Sequence, residues 1–332
     1  MIISRTPFRV SFFGGGTDYP AWFREHGGAV LGTTIDKYCY ISLRRLPPVF
    51  DHKHKLIYSK IELVNELEEI QHPAIKGVLS EFKVTQGLSI HHDGDLPART
   101  GLGSSSAFTV GLINALQALD GKMSSAKYLA EEAIRIEQDV IKEHVGSQDQ
   151  VWAAFGGTNR IDFLPDGTFT VTPLIMPLER RKELNAHIML FFTGFTRIAS
   201  QIAQEKIANM PNRERHLRII RQMVDEGMSQ IISPHGDIRQ IGKLLNEGWM
   251  LKRELATNVS TSEVDEIYQA GIEAGALGGK LLGAGGGGFI MFFVEPHKQE
   301  AVRARLRNLV HVNVEIGSPG STIVVYDPND AA

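Results

Sequence analysis

The first thirteen residues alternate apolar and polar side chains well enough to predict a strand, which "GGGTDYP" breaks before a short helix with Pro20 in its first turn. β-Branched and aromatic positions predict further strands over 30–46 and 55–61, with Pro47 and Pro48 marking the turn between them. "LSIHHDGDLPA" reads as another strand and turn, delivering the chain to "LPARTGLGSSSAF" at 96–108. There Ser104 or Ser105 can cap a helix whose apolar positions Phe108, Leu112, Leu116 and Leu119 share one face until Gly121 ends it. A second helix is expected over about 125–144. In "GSQDQVWAAFGG", Ser147 and Gln150 have capping-box spacing and Gly156–Gly157 close a short helix, so Asp149 falls in a first helical turn.

The strand-rich "TNRIDFLPDGTFTVTPL", with its Pro-Asp-Gly hairpin turn, ends a first domain, 1–177. A second, 178–332, begins with the strand "AHIMLFFTG", runs through helices near 197–230, 237–255 and 262–275, and continues with the strand "GFIMFFVEP". A helix over 297–309 and a last strand near 322–326 complete it. Strands and helices mix without a fixed 30-residue period, which argues for an α+β protein and against a solenoid.

Composition narrows the partners. The 332 residues are 42% apolar, enough for a core in each of two domains, and the formal charge is only −3 with acids and bases interspersed. Nothing global points to nucleic acid or a membrane surface, so an anion site must be local and the partner small. Cys39 is the only cysteine, which excludes an internal disulfide framework and suits a reducing compartment as a small buried hydrophobe. Arg5, Pro7 and Arg9 interrupt the N-terminal apolar pattern, and no run approaches the ~20 residues of a membrane helix, so a cytoplasmic protein is expected. The His52/His54 and His91/His92 pairs fall in turn-like segments and are assigned no metal.

Three glycine-rich loops carry the chemistry. "LPARTGLGSSSAF" has the glycines and the following helix start of an anion cradle, but lacks the lysine of a Walker loop, so backbone N–H groups and serines must do most of the holding. "KLLGAGGGGF" at 280–289 matches G-x-G-x-x-G through Gly283, Gly285 and Gly288. A strand follows it, however, where a dinucleotide fold needs a helix. Close backbone packing, on a ligand or on another segment, is the better account. "PFRVSFFGGGTDY" sets Arg9 in a strand and Asp18 just past a triple glycine.

With these loops in this order the sequence resembles the GHMP small-molecule kinases along nearly its whole length. "TPFRVSFFGGGTDY", "PARTGLGSSSA" and "GGKLLGAGGGGF" are similar to that family's three motifs. The triple glycine before Thr17-Asp18 and the runs "GSQDQVWAAFGG" and "TGFTRIAS" most resemble its heptose 7-phosphate kinase branch, which phosphorylates an anomeric hydroxyl. The resemblance implies a two-lobed α+β fold, with an N-terminal domain like ribosomal protein S5 domain 2 and a ferredoxin-like C-terminal domain. It implies ATP and Mg²⁺.

Carried over by position, the resemblance gives Gly101, Leu102, Gly103, Ser104, Ser105, Ser106 and Ala107 to ATP, and Ser105 and Glu137 to the metal. Asp149 matches the catalytic aspartate and Arg9 the basic residue beside it. Gly15, Gly16, Thr17, Asp18, Gly285, Gly286 and Arg197 would meet the acceptor. Where galactokinases have a Glu-His pair, Gly15-Gly16 stand here, which clears side chains from the sugar pocket and suits a bulkier sugar. An acceptor bearing a terminal phosphate needs a basic site, for which Arg197, Arg44, Arg45, Lys252 and Arg253 are candidates. Another sugar 1-kinase of the family, acting on unphosphorylated heptose, fucose or galactose, and a non-catalytic sugar and nucleotide sensor are the competing readings.

Overall fold

The computed structural model describes residues 1–195, 199–256 and 259–328, the side chains of 199–201 excepted. Twelve strands are described: β1 Ile2–Phe13, β2 Gly28–Arg45, β3 His54–Ile57, β4 Ile61–Val64, β5 Leu88–Gly94, β6 Thr158–Phe163, β7 Phe169–Pro173, β8 Ile188–Phe192, β9 Gly278–Leu281, β10 Phe289–Phe293, β11 Val310–Val312 and β12 Thr322–Tyr326. They form two sheets. The larger runs β12-β1-β2-β5-β3-β4, with β6 also on β2 and β7 on β6. The long β2 makes this branch possible, since its residues 28–33 pair with β6 and 39–45 with β5. All these pairings are antiparallel except β3 with β5.

The smaller sheet has the order β11-β8-β10-β9, all antiparallel. Its strands in chain order thus take the ferredoxin-like arrangement, with the helices Ala199–Asn209, Glu214–Ile232, Arg239–Arg253 and Ser262–Glu273 between its first two. Because β12 returns to pair with Ile2–Arg5 of β1, the expected second domain of 178–332 is corrected: its last strand belongs to the first sheet.

The helix Ser104–Leu119 is buried from Ser106 to Leu119 on every side, so the single apolar face read from Phe108, Leu112, Leu116 and Leu119 understates its position. It lies between β1, β2 and the helices Ala126–Arg135 and Gln148–Phe155. Its N-cap is Gly103, in the left-handed region with no side-chain cap, where Ser104 or Ser105 was expected. Ser147 caps Gln148–Phe155 by position only. Its hydroxyl instead receives a bond from Gln138, and Gln150 turns to Glu137, so the capping box does not form. The expected helix over 125–144 begins as Ala126–Arg135, capped by Ser125, and ends in a π turn, Ile136–Val140. The strand expected over 55–61 is split into β3 and β4 by a turn at 58–60, and the helices Pro73–Glu81 and Leu178–Ala186 carried no clear periodic signal.

Candidate active site

Arg9 lies in β1, 4% exposed, with its side chain over the start of the helix Ser104–Leu119. Its guanidinium grips Asp149 with both arms of the fork, Nε to Oδ1 at 2.7 Å and Nη2 to Oδ2 at 2.8 Å, while Nη1 donates to the Gly101 carbonyl at 2.6 Å. A planar, bidentate pair of this kind fixes the carboxylate in direction as well as position. Asp149 occupies the first turn of Gln148–Phe155 and lines the cleft.

The adjacent Gln148 donates from Nε2 to Asp18 Oδ2 at 2.8 Å, and the Gly16 N–H donates to Oδ1 at 2.9 Å. Asp18 is almost wholly buried. Burial pushes its carboxyl up, and the nearby Asp149 adds to the shift, while the Gly16 and Gln148 bonds oppose it. Glycine at 146 is what lets the two segments meet, since a Cβ there would stand 1.9 Å from Asp18 Oδ2. Gly15, Gly16 and Asp18 line the cleft. Thr17 does not join them: its hydroxyl is spent on the Gly14 and Ala29 carbonyls at 2.9 and 2.8 Å, and the residue is fully buried.

Gly101, Gly103, Ser104, Ser105 and Ser106 border the same cleft. At a helix start the first N–H groups have no partner within the helix, so this turn presents donors and the positive dipole end to an anion. Leu102 and Ala107 are corrected. Both side chains are core, the Leu102 carbonyl accepts from Arg9 N, and the Ala107 N–H is already bonded to the Gly103 carbonyl at 2.9 Å.

Glu137 sits on the π turn, 1% exposed, with Oε2 accepting from Ser106 at 2.9 Å and Gln150 at 2.5 Å. Oε1 is buried without a hydrogen-bond partner of normal geometry; the Thr109 hydroxyl beside the carboxylate donates to the Ser105 carbonyl at 3.2 Å. Burial pushes the Glu137 carboxyl up to about 7. An orphaned carboxylate oxygen beside hydroxyls at an anion-binding turn fits a hard divalent cation that takes its other ligands from phosphate and water. Among the described residues no group of three or more His, Cys, Asp or Glu could hold a metal ion by themselves. The expected pairing of Ser105 with Glu137 is not the one formed: Ser106 turns inward to the carboxylate while Ser105 is exposed.

The third glycine loop joins β9 to β10 and lies against the second. Gly101 has φ +82, and a Cβ there would meet the Leu282 carbonyl oxygen at 2.5 Å. The Phe289 N–H donates to the Thr100 carbonyl at 3.0 Å. Its glycines therefore serve backbone-on-backbone packing against another segment. Gly285 also borders the cleft, and the Gly286 N–H is given to the Val259 carbonyl at 3.1 Å.

Of the basic candidates, only Lys252 among the described residues lines the cleft. Arg44 is exposed on β2, Arg45 pairs with Gln86 and Asp120, and Arg253 pairs with Asp265; Arg197 lies outside the described residues. Lys206 and Lys280, which the sequence reading passed over, line the cleft with Lys252. Lys280 directly precedes the third loop, and that adjacency was the available signal.

Residues 65–157 match the model of the GHMP kinases N-terminal domain and residues 228–311 that of the GHMP kinases C-terminal domain. A D-glycero-α-D-manno-heptose 7-phosphate kinase of Campylobacter jejuni is 30% identical over 317 residues, covering 92% of this chain and 93% of that protein. A galactokinase of Thermococcus kodakarensis is 27% identical, covering 92% of each. Among solved structures, a D-glycero-D-manno-heptose 1-phosphate kinase from Bacteroides thetaiotaomicron shares the fold with a TM-score of 0.81, at 24% identity over 98% of this chain and 100% of that one. The chain belongs to the GHMP kinase family and is an ATP-dependent phosphotransferase.

Proposed function

We propose that this kinase transfers the γ-phosphoryl group of ATP to the anomeric C1 hydroxyl of D-glycero-D-manno-heptose 7-phosphate. The product is the 1,7-bisphosphate, a precursor of nucleotide-activated heptose for surface polysaccharides, made in the cytoplasm. The observation that carries the reading is the bidentate Arg9–Asp149 pair beside an anion-binding helix start. The likeness to the Campylobacter jejuni enzyme supports the choice of sugar.

Phosphoryl transfer asks mainly for alignment and for stabilisation of charge on the moving group. Backbone N–H groups at 103–106 and the serine hydroxyls hold the ATP phosphates. Asp149 takes the proton of the C1 hydroxyl as its oxygen attacks the γ-phosphorus, and the bond from that phosphorus to the bridging oxygen breaks to release ADP. An anomeric hydroxyl is more acidic than an ordinary alcohol, so a carboxylate suffices as base. Arg9 orients Asp149 and places positive charge beside the acceptor oxygen. Asp18, held by Gln148 and Gly16, fixes a sugar hydroxyl. Glu137 with Ser106 or Ser105 would hold Mg²⁺, which supplies charge neutralisation at the phosphates.

Replacing Asp149 by Asn tests the assignment. Turnover falls about 10²–10⁴-fold with little change in ATP affinity. Near-wild-type turnover would remove Asp149 from the mechanism, and ATP consumption against hexoses, heptoses and their terminal phosphates identifies the acceptor. Activity on any of them also dismisses a non-catalytic sensor.

A further inference from the structure

Lys206 from Ala199–Asn209, Lys252 from the last turn of Arg239–Arg253 and Lys280 from β9 converge on one wall of the cleft, each less than 8% exposed. Their ammonium groups are held by carbonyls: Lys252 by Leu281 at 3.0 Å and Gly283 at 2.8 Å, Lys280 by Phe12 at 2.9 Å, and Lys206 by Ala284. An ammonium has three N–H donors. Among the described residues, then, each of the three keeps at least one donor uncommitted, and none forms a salt bridge.

Carbonyl oxygens orient an ammonium but do not neutralise it, and buried charge is costly unless an opposite charge meets it. Lys252 and Lys280 are repelled by Lys206 and Arg9, and Lys280 repels Lys252; Glu205 also acts on Lys206, but the one carboxylate felt by all three is Asp18. Burial pushes Lys206 down to about 8 and Lys280 to about 7, and Lys252 is lowered as well. This is the charge balance of a site waiting for an anion.

Position selects which anion. Lys280 is bonded to the strand end just before the triple glycine, and Lys252 and Lys280 also border a small cavity behind Gly14 and Gly15. Lys252 and Lys280 therefore border the Gly14–Gly15 side of the cleft, and Lys206, held by the Ala284 carbonyl of the third loop, feels the same Asp18 carboxylate as they do; the nucleotide cradle is the helix start at 103–106. We propose that Lys206, Lys252 and Lys280 form the subsite for the phosphate group of a phosphorylated acceptor, separate from the ATP phosphate cradle. This rests on the sugar-kinase reading and names the feature by which the enzyme selects a sugar phosphate over the free sugar.

The test compares kcat/KM for D-glycero-D-manno-heptose 7-phosphate and for the unphosphorylated heptose in the wild type and in Lys280→Met and Lys252→Met, each checked for folding by its melting transition. The expected result is a wild-type preference for the phosphorylated sugar that falls at least tenfold in each variant, through the sugar KM and not the ATP KM. An unchanged preference, or a matching rise in the ATP KM, overturns the proposal. Should the variants not fold, inorganic phosphate decides in the wild type: competition with the sugar phosphate supports the subsite, and competition with ATP alone removes it. A wild type that prefers another terminal sugar phosphate to its free sugar would refute the heptose assignment and keep the subsite. One that prefers free sugars and ignores inorganic phosphate would refute the subsite and keep the kinase.

Discussion

Two donors of Arg9 reach Asp149 and a third reaches the Gly101 carbonyl, so one side chain ties the proposed base to the phosphate-loop backbone. Arg9→Ala is expected to cost on the order of 3 kcal/mol of transition-state stabilisation, about 10²-fold in kcat/KM, with kcat carrying the loss. Were only KM to rise, Arg9 would be a binding residue alone. Lys280 gives a pH signature. Its folded value near 7 lies below its ordinary 10.5, so between these limits the unfolded chain binds more protons and stability rises with pH. Without ligand, wild-type stability should climb from pH 7 to 9 by up to about 1.4 kcal/mol per pH unit more than that of Lys280→Met. Parallel profiles in urea denaturation would show that Lys280 does not titrate there. At this scale the sequence was legible where backbone chemistry dictated the residue, as with the glycines and serines at 101–106. It was opaque for Lys206 and Lys280, since a lysine reads as a solvated charge until distant segments close over it. It misled for Thr17, whose neighbours Gly16 and Asp18 face the cleft while its own hydroxyl turns to Ala29.

Among the elements, the contact of the second and third glycine loops is the most demanding. Gly101→Ala would strain a backbone at φ +82 and press a methyl group into the Leu282 carbonyl, so a stability loss of roughly 1–3 kcal/mol is expected, with a raised ATP KM. Wild-type stability by denaturant titration would mean the loops part without cost. β1, with its alternation, and β2, with its β-branched and aromatic run, were readable within two residues, and so was β12. The turn between β3 and β4 was not, because Tyr58 N–H to Lys60 carbonyl closes it without a glycine or proline to announce it. The π turn at Ile136–Val140 was equally silent, although it is the device that presents Glu137, since a one-residue insertion in a helix leaves no mark in apolar spacing.

At the scale of the whole molecule, β12 closes the chain onto its own beginning, and Ser321 just before it bonds Thr6 at 2.8 Å and Asn114 at 3.0 Å. Deleting 321–332 strips β1 of an edge partner and should lower the melting temperature by roughly 5 °C or more, readable by differential scanning fluorimetry. An unchanged transition would show that the strand is ornamental to stability. The return was not legible because a terminal strand's partner is set by topology, which local alternation does not encode. The seam between Thr100–Gly101 and Leu282–Phe289 bears on traffic through the enzyme. Main chain meets main chain across it, through the Phe289 N–H to Thr100 carbonyl bond and the Gly101–Leu282 contact, so opening along that line would break a backbone hydrogen bond and a close-packed contact. The cost of parting that seam thus favours entry and exit of reactants on the side of the cleft lined by Ala203, Lys206 and Lys252.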